Sequence, residues 1–296
     1  MSIYNQIDSN KQKSWLIMAL FILFVTGIAY IFGQATGSGA SWVGLALIIS
    51  GVMSLGSYYF SDQIVLTMSG AKEIFVKEDK ALFDVVTNLS IAAGIPRPKI
   101  YLIEEASPNA FATGRDPQHA VVCLTSGLRE KLDRAELEGV IAHELSHIGN
   151  FDTRLMAIVS ILVGLVAMLA DWFMRSLWWR DRDNDNNKAG SIFMILGIIL
   201  AIISPIIAML IQLSISRRRE FLADANGAYI TRYPEGLARA LEKLEQNKKV
   251  ASFANNATAH LFIISPFKGK DAASWFSGLF NTHPPIEERI KLLRAM

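Results

Sequence analysis

The stretch VIAHELSHIGNFD, residues 140–152, places two histidines around a glutamate at H-E-x-x-H spacing. Asp133, with Glu136 three residues on, makes a capping-box start for a helix that runs through it. Residues four apart share a helix face, so His143 and His147 aim two imidazole nitrogens at one ion. Glu144 lies beside them. Zinc on such a pair lowers the pKa of a water towards about 7, and the carboxylate takes its proton as it attacks a carbonyl. The spacing therefore points to peptide hydrolysis. The same chain turns greasy at once after this segment, and the reading must account for that.

A catalytic zinc takes a third protein ligand and keeps one position open. The extended pattern H-E-x-x-H-x-x-G-x-x-H fails, with Asn150 where glycine and Thr153 where histidine would stand. The third ligand comes from elsewhere. SRRREFLADANGA, residues 216–228, offers Glu220 and Asp224 four apart on one helix face. Glu220 reads as a metal ligand, and Asp224 as the carboxylate that orients a histidine from behind.

Half the residues are hydrophobic (51%) and the mean hydropathy is positive. A net charge of +2 makes no electrostatic case for nucleic acid. One cysteine, Cys123, excludes an internal disulfide and a cysteine-rich cluster; in AVVCLTS it reads as a small buried hydrophobe. Four apolar runs stand out: residues 14–33, 41–60, 155–170 and 189–216. The first two have the length of about 20 residues that crosses a bilayer as a helix. The first is too long for a signal peptide and lacks a small-residue cleavage site. The third spans only if Asp171 and the residues after it sit at the interface. The fourth is ample, with Pro205 as a tolerated kink. DWFMRSLWWRDRDNDNNK between them suits an interface and then water.

Lys11, Lys13, Lys72, Arg154, Arg217, Arg218, Arg219 and Arg232 fall on one side of these runs; Arg175, Arg180, Arg182 and Lys188 fall on the other. The excess puts both termini and the H-E-x-x-H segment in the cytoplasm. If runs three and four form a hairpin, the helices of His147 and Glu220 emerge on the same side and the half-sites meet. The division expected is a membrane hairpin over 1–60, the first part of the peptidase domain over 61–154, a second hairpin over 155–214 and the rest of the domain over 215–296. Outside the apolar runs, EDKALFDVVTNLSIAAG reads as an amphipathic helix ended by Gly94, and RPKIYLIE and HAVVCLTSG as strands. PEGLARALEKLEQN and IEERIKLLRAM read as helices. The expected fold is an α+β membrane protein, mostly helical, with about four transmembrane helices and a zincin-like domain carrying a small antiparallel sheet.

NAFATG, HELSH, EFLAD and THPPIEERI, in that order, resemble the HtpX family of membrane zinc endopeptidases, gluzincins related to the CaaX prenyl proteases. The resemblance covers nearly the whole chain. It implies a bacterial inner-membrane protein with one zinc per chain, whose cytosolic site cleaves misfolded or damaged membrane proteins, often under stress control. Carried over by position, His143, His147 and Glu220 bind zinc and Glu144 is the catalytic base. NAFAT resembles the edge strand on which gluzincins lay an extended substrate, with Asn109 and Ala110 as contacts; backbone pairing ignores side-chain identity. His283 in THPP takes the place of an oxyanion donor, and Arg289 that of a partner to an acidic residue near the metal. His119 and His260 read as strand-end and surface residues.

Three rivals remain. A scaffold using zinc structurally predicts four protein ligands rather than three and a poised glutamate. A transporter wants ionisable or broken helices at mid-membrane, and Pro205 is the one break in uncharged runs. A CaaX-type processing enzyme needs a chamber for a lipidated peptide, for which four spans are few. The reading is a multi-pass membrane metalloendopeptidase acting on unfolded or membrane proteins, with the lipid bilayer as its surroundings and no nucleic-acid partner.

Overall fold

The computed structural model describes residues 3–35, 41–178, 217–246, 263 and 284–296. Helices α1 (Ile3–Ala35) and α2 (Ser41–Tyr59) pack along each other. Their windows Ile7–Ile31 and Trp42–Tyr59 are long and apolar enough to cross a membrane. Each leaves one face uncovered, Leu16 and Leu23 on α1, Ile48 and Val52 on α2, as lipid-facing helices do. Ser50, Ser54 and Ser57 are buried on the other face of α2, where small side chains let backbones approach. α1 begins before its apolar run, so Asn10, Lys11 and Lys13 lie in its first turns. The third apolar run lies in α7 (Asp152–Trp178), a helix of 27 residues. Met18 and Phe21 of α1 bury against Ile158, Leu162 and Val166 of α7. The fourth run lies outside the described residues.

α3 (Ser61–Met68) leads from the hairpin to strand β1 (Lys72–Glu73). α4 (Lys80–Ala93) starts where Asp79 accepts from Leu82 N–H and ends at Gly94, whose φ of 67° closes the helix. Strands β2 (Lys99–Ile103), β3 (Ala110–Thr113) and β4 (Val121–Thr125) complete a sheet of order β1-β2-β4-β3. The sheet is mixed, not antiparallel throughout: β1/β2 and β3/β4 are antiparallel, but β2 and β4 run parallel. Alternation along a strand reports which face is buried and not which neighbour it takes. Here β3 forms a hairpin with β4 at the outer edge, and β4 then lies alongside β2. Cys123 on β4 is fully buried, and burial pushes its thiol pKa up, away from reactivity.

After the short α5 (Ser126–Lys131), α6 (Arg134–Gly149) carries the H-E-x-x-H segment. Its capping box is present, with Asp133 accepting from Glu136 N–H and Glu136 from Asp133 N–H. From Leu137 to Ile148 α6 buries residues on nearly every side, because α4, β3, α8 (Arg217–Thr231) and α9 (Pro234–Glu245) all pack on it. α9 buries Leu237, Leu241 and Leu244 on one stripe, and α10 (Ile286–Arg294) adds Ile286, Ile290 and Leu293 to the same core. Between α6 and α7 the chain bends by 80°. Phe151 supplies the bend with φ of 59°, a left-handed conformation uncommon for a non-glycine residue.

Candidate metal centre

His143 and His147 project from one face of α6 with their rings 4.7 Å apart and 87° between planes. Their Nε2 atoms stand 3.1 Å from each other. Glu220 arrives from α8, with its carboxylate oxygens 3.8 Å from His143 Nε2 and 3.5 Å from His147 Nε2. α8 comes this close because position 227 is glycine: a Cβ there would sit 3.1 Å from His143 N. All three residues are buried. A tetrahedral ion with bonds of about 2.0–2.1 Å keeps its donors roughly 3.3 Å apart, so the three separations fit a zinc ion.

Each histidine meets a carboxylate on its other nitrogen. His147 Nδ1 is 3.0 Å from Asp152 Oδ2, and the elbow at Phe151 is what turns Asp152 back under the ring. An ionised carboxylate only accepts, so Nδ1 holds the proton and Nε2 keeps its lone pair for a metal. His143 Nδ1 lies 2.9 Å from Asp224 Oδ1, but the oxygen is off the N–H direction, so the contact is electrostatic rather than a well-formed hydrogen bond. Asp224 is held in turn by Arg289, fully buried on α10, whose Nε and Nη2 donate to it at 2.8 and 2.7 Å. Arg289 Nη1 is 3.7 Å from Glu220 and donates to Ile263 O.

Charges in this buried cluster shift one another. Burial alone would lower the His147 pKa. The hydrogen bond to Asp152 and the nearby carboxylates of Glu220, Asp152 and Glu144 outweigh it and lift the pKa to about 9. Burial would raise Asp224, but the guanidinium of Arg289, with lesser help from His143, holds it down at about 2. Glu144, 5% exposed, is raised above the usual carboxylate range by burial; the two imidazoles pull it back, Glu220 adds to the rise and the Ala112 N–H subtracts.

The structure thus brings together His143, His147 and Glu220, with Glu144 alongside and Asp224 behind His143, as the residue spacing suggested. Arg289 does pair with the acidic residue. NAFAT is an edge strand: Asn109 precedes β3, and Ala110 is its first residue. His283 and His260 lie outside the described residues. His119 sits at the end of a short turn of helix, half exposed and held by Asp116. Sequence reasoning missed Asp152, although it follows the second histidine by five residues, and the buried Arg219 beside Glu220.

Residues 76–296 match Peptidase family M48. A protein from Dictyoglomus thermophilum named protease HtpX homolog is 44% identical over 297 residues, covering 100% of this chain and 95% of the relative. Proteins of the same name from Thermococcus sibiricus (45% over 287 residues, 95% and 96% covered) and Streptococcus uberis (39% over 300 residues, 99% and 100% covered) are similarly related. The crystal structure of S. mikatae Ste24p shares the fold with a TM-score of 0.53 at 19% identity, covering 98% of this chain and 67% of that one. Agreement of this extent, with the family and with relatives along their whole length, makes the chain a member of peptidase family M48 and a metallopeptidase, and its buried His, His, Glu group fits a zinc site of that kind.

Proposed function

We propose that the chain is a membrane-embedded endopeptidase with one zinc ion per chain, held by His143, His147 and Glu220, and that it cleaves misfolded or damaged membrane proteins. The observation that carries this is the convergence of three donor atoms, all within 4.8 Å of one another, beside a buried glutamate. When bound, the ion supplies a Lewis acid that polarises a carbonyl and makes a water acidic. Glu144 is the general base: its carboxylate, raised in pKa by burial, takes a proton from the attacking water and delivers it to the departing amine. Asp152 and Asp224 hold the two imidazoles from behind.

The edge of β3 is the substrate's place. Asn109 O accepts from Thr125 N–H, and antiparallel pairs alternate between inward and outward hydrogen-bonding groups. Ala110 and Ala112 therefore turn their N–H and C=O away from β4. Ala112 N–H reaches Glu144, which sets the direction of the edge towards the metal. A peptide paired with Ala110 is laid along that direction by its main chain, which suits broad specificity. The Asn109 Nδ2 group is buried without a partner among the described residues and is a second donor for it. The excess of Lys and Arg near one set of membrane ends favours a cytoplasmic site, with the two hairpins at 1–60 and 155–214 in a bacterial inner membrane. A quality-control role under stress follows the family.

The test is cleavage of an unfolded fluorogenic protein by the detergent-purified chain, metal-stripped and with zinc restored, beside Glu144→Gln. Expected is zinc-dependent cleavage that falls by at least about 100-fold in the variant while bound zinc stays at the wild-type level. Equal cleavage by wild type and variant would remove Glu144 from the chemistry.

A further inference from the structure

We propose that Asn10, in the first turns of the first membrane helix, is a positioning residue of the metal centre. It holds the Asp152 carboxylate that orients His147, so the N-terminal hairpin is a working part of the site as well as its anchor. The proposal rests on the metal reading above.

Asn10 is 1% exposed. Its Nδ2 donates to Asp152 Oδ1 at 2.7 Å and to Asn150 O at 3.0 Å, and its Oδ1 accepts from Arg219 Nη1 at 3.2 Å. The amide cannot be reversed, since that would set its oxygen against a carboxylate and a carbonyl. Asp152 faces His147 with its other oxygen. One side chain of α1 is therefore two contacts from a metal ligand. Through Arg219 it also touches the residue next to Glu220. The family match begins at residue 76, so Asn10 lies outside the part of the chain that the family defines.

The chemistry explains why an amide is useful there. Arg219 Nη1 is also 3.3 Å from Asp152 Oδ1, on the oxygen away from the histidine. A guanidinium prefers to grip both oxygens of a carboxylate. If Arg219 did so, it would compete with His147 for Oδ2. Asn10 occupies part of Arg219 with its own oxygen and part of Oδ1 with its own N–H. It thereby leaves Oδ2 to His147. The same helix steadies the elbow that carries Asp152: the bond to Asn150 O pins the residue before Phe151, and Lys11 Nζ lies 4.6 Å over the Phe151 ring. Phe151 adopts its left-handed φ only because surrounding contacts hold it.

A second tie between the hairpin and α7 provides the control. Arg154 places its guanidinium 4.7 Å from the Tyr58 ring on α2 and 6.0 Å from the Trp15 ring on α1. If Asn10 merely fastens helices, losing either tie has the same consequence.

The experiment uses full-length protein in detergent and three variants: Asn10→Leu, Asn10→Asp and Arg154→Met. Zinc affinity is read by competition with a chelator, and the ligand field by the visible absorption of the Co²⁺-loaded protein. Circular dichroism and gel filtration check the fold. Asn10→Leu is expected to weaken zinc by about 10-fold, the lower end for outer partners of metal ligands, and to change the cobalt spectrum. Asn10→Asp, which keeps the shape but sets a second carboxylate beside Asp152, weakens zinc as well. Arg154→Met lowers thermal stability and leaves affinity and spectrum unchanged. A folded Asn10→Leu with wild-type affinity and spectrum overturns the proposal, as does a loss matched by Arg154→Met. Should Asn10→Leu not fold, unaltered zinc binding by Asn10→Asp overturns it alone. Wild-type protein that takes up neither Zn²⁺ nor Co²⁺ overturns the metal reading itself.

Discussion

The two histidines of α6 are four residues apart, yet they are supported from opposite directions in the chain. His147 is backed by Asp152, only five residues on, and Asp152 is braced by α1 at the N-terminus and by Arg219. His143 is backed by Asp224, on a helix some eighty positions later, which is braced by Arg289 at the C-terminus. One support is local and depends on a sharp elbow; the other is assembled from distant elements. Glu220 is common to both. A metal bound here therefore senses the membrane hairpin from one side and the C-terminal helix from the other.

Removing the common element has the largest expected effect. Glu220→Ala takes away one donor of three, roughly a third of the ~10–16 kcal/mol that such sites supply, and zinc affinity falls on the order of 1,000-fold. Titration against a chelator measures it, and near wild-type affinity would mean that the third ligand lies elsewhere.

Arg289→Met breaks the C-terminal side alone. It leaves the Asp224 carboxylate buried and unpaired, at a cost on the order of 3 kcal/mol. Arg289→Lys restores only part, because an ammonium cannot match two oxygens at once. Chemical denaturation of the metal-free protein reads both, and a wild-type midpoint for Arg289→Met would show that the pair does not stabilise the fold.

pH separates the two supports by sign. His147 has its pKa raised from 6.5 to about 9, so its contribution is complete below about 6.5 and is lost as pH rises through about 9. Asp224 has its pKa lowered from 3.8 to about 2, so its contribution is present above about 4 and is lost as pH falls towards about 2. Each is worth on the order of 2–3 kcal/mol. Stability of the metal-free protein should therefore weaken at both ends, with Asp152→Asn flattening the alkaline limb and Asp224→Asn the acid limb. Variants that flatten the wrong limb would refute the assignment. Zinc entry must also displace the His147 proton, so uptake below pH 9 releases acid.

Much of this was legible in the chain. H-E-x-x-H and Glu220 with Asp224 are i,i+4 pairs, and helical periodicity alone puts each pair on one face. The capping box of α6 and the glycine end of α4 are local signals of the same kind. The spans over the first two apolar runs follow from length and hydropathy. Asp152 stood within reach of such reasoning but belongs to the next helix, and no periodicity relates it to His147 across a bend. The parallel pairing of β2 with β4 was hidden for a similar reason: alternation carries no record of partner or direction.

The sequence by itself thus determined which residues share a helix face at the candidate site and that the first two apolar runs form helices long and apolar enough to cross a membrane, because both are written in relations between near neighbours. Only the tertiary structure decided which carboxylate supports which histidine. The left-handed turn at Phe151 brings Asp152 to His147, the close crossing at Gly227 brings Asp224 and Glu220 to α6, and the packing of α1 on α7 brings Asn10 to Asp152. The first pairing crosses a bend between two helices and the others join residues far apart in the chain, and they exist only once the buried helices have been packed together.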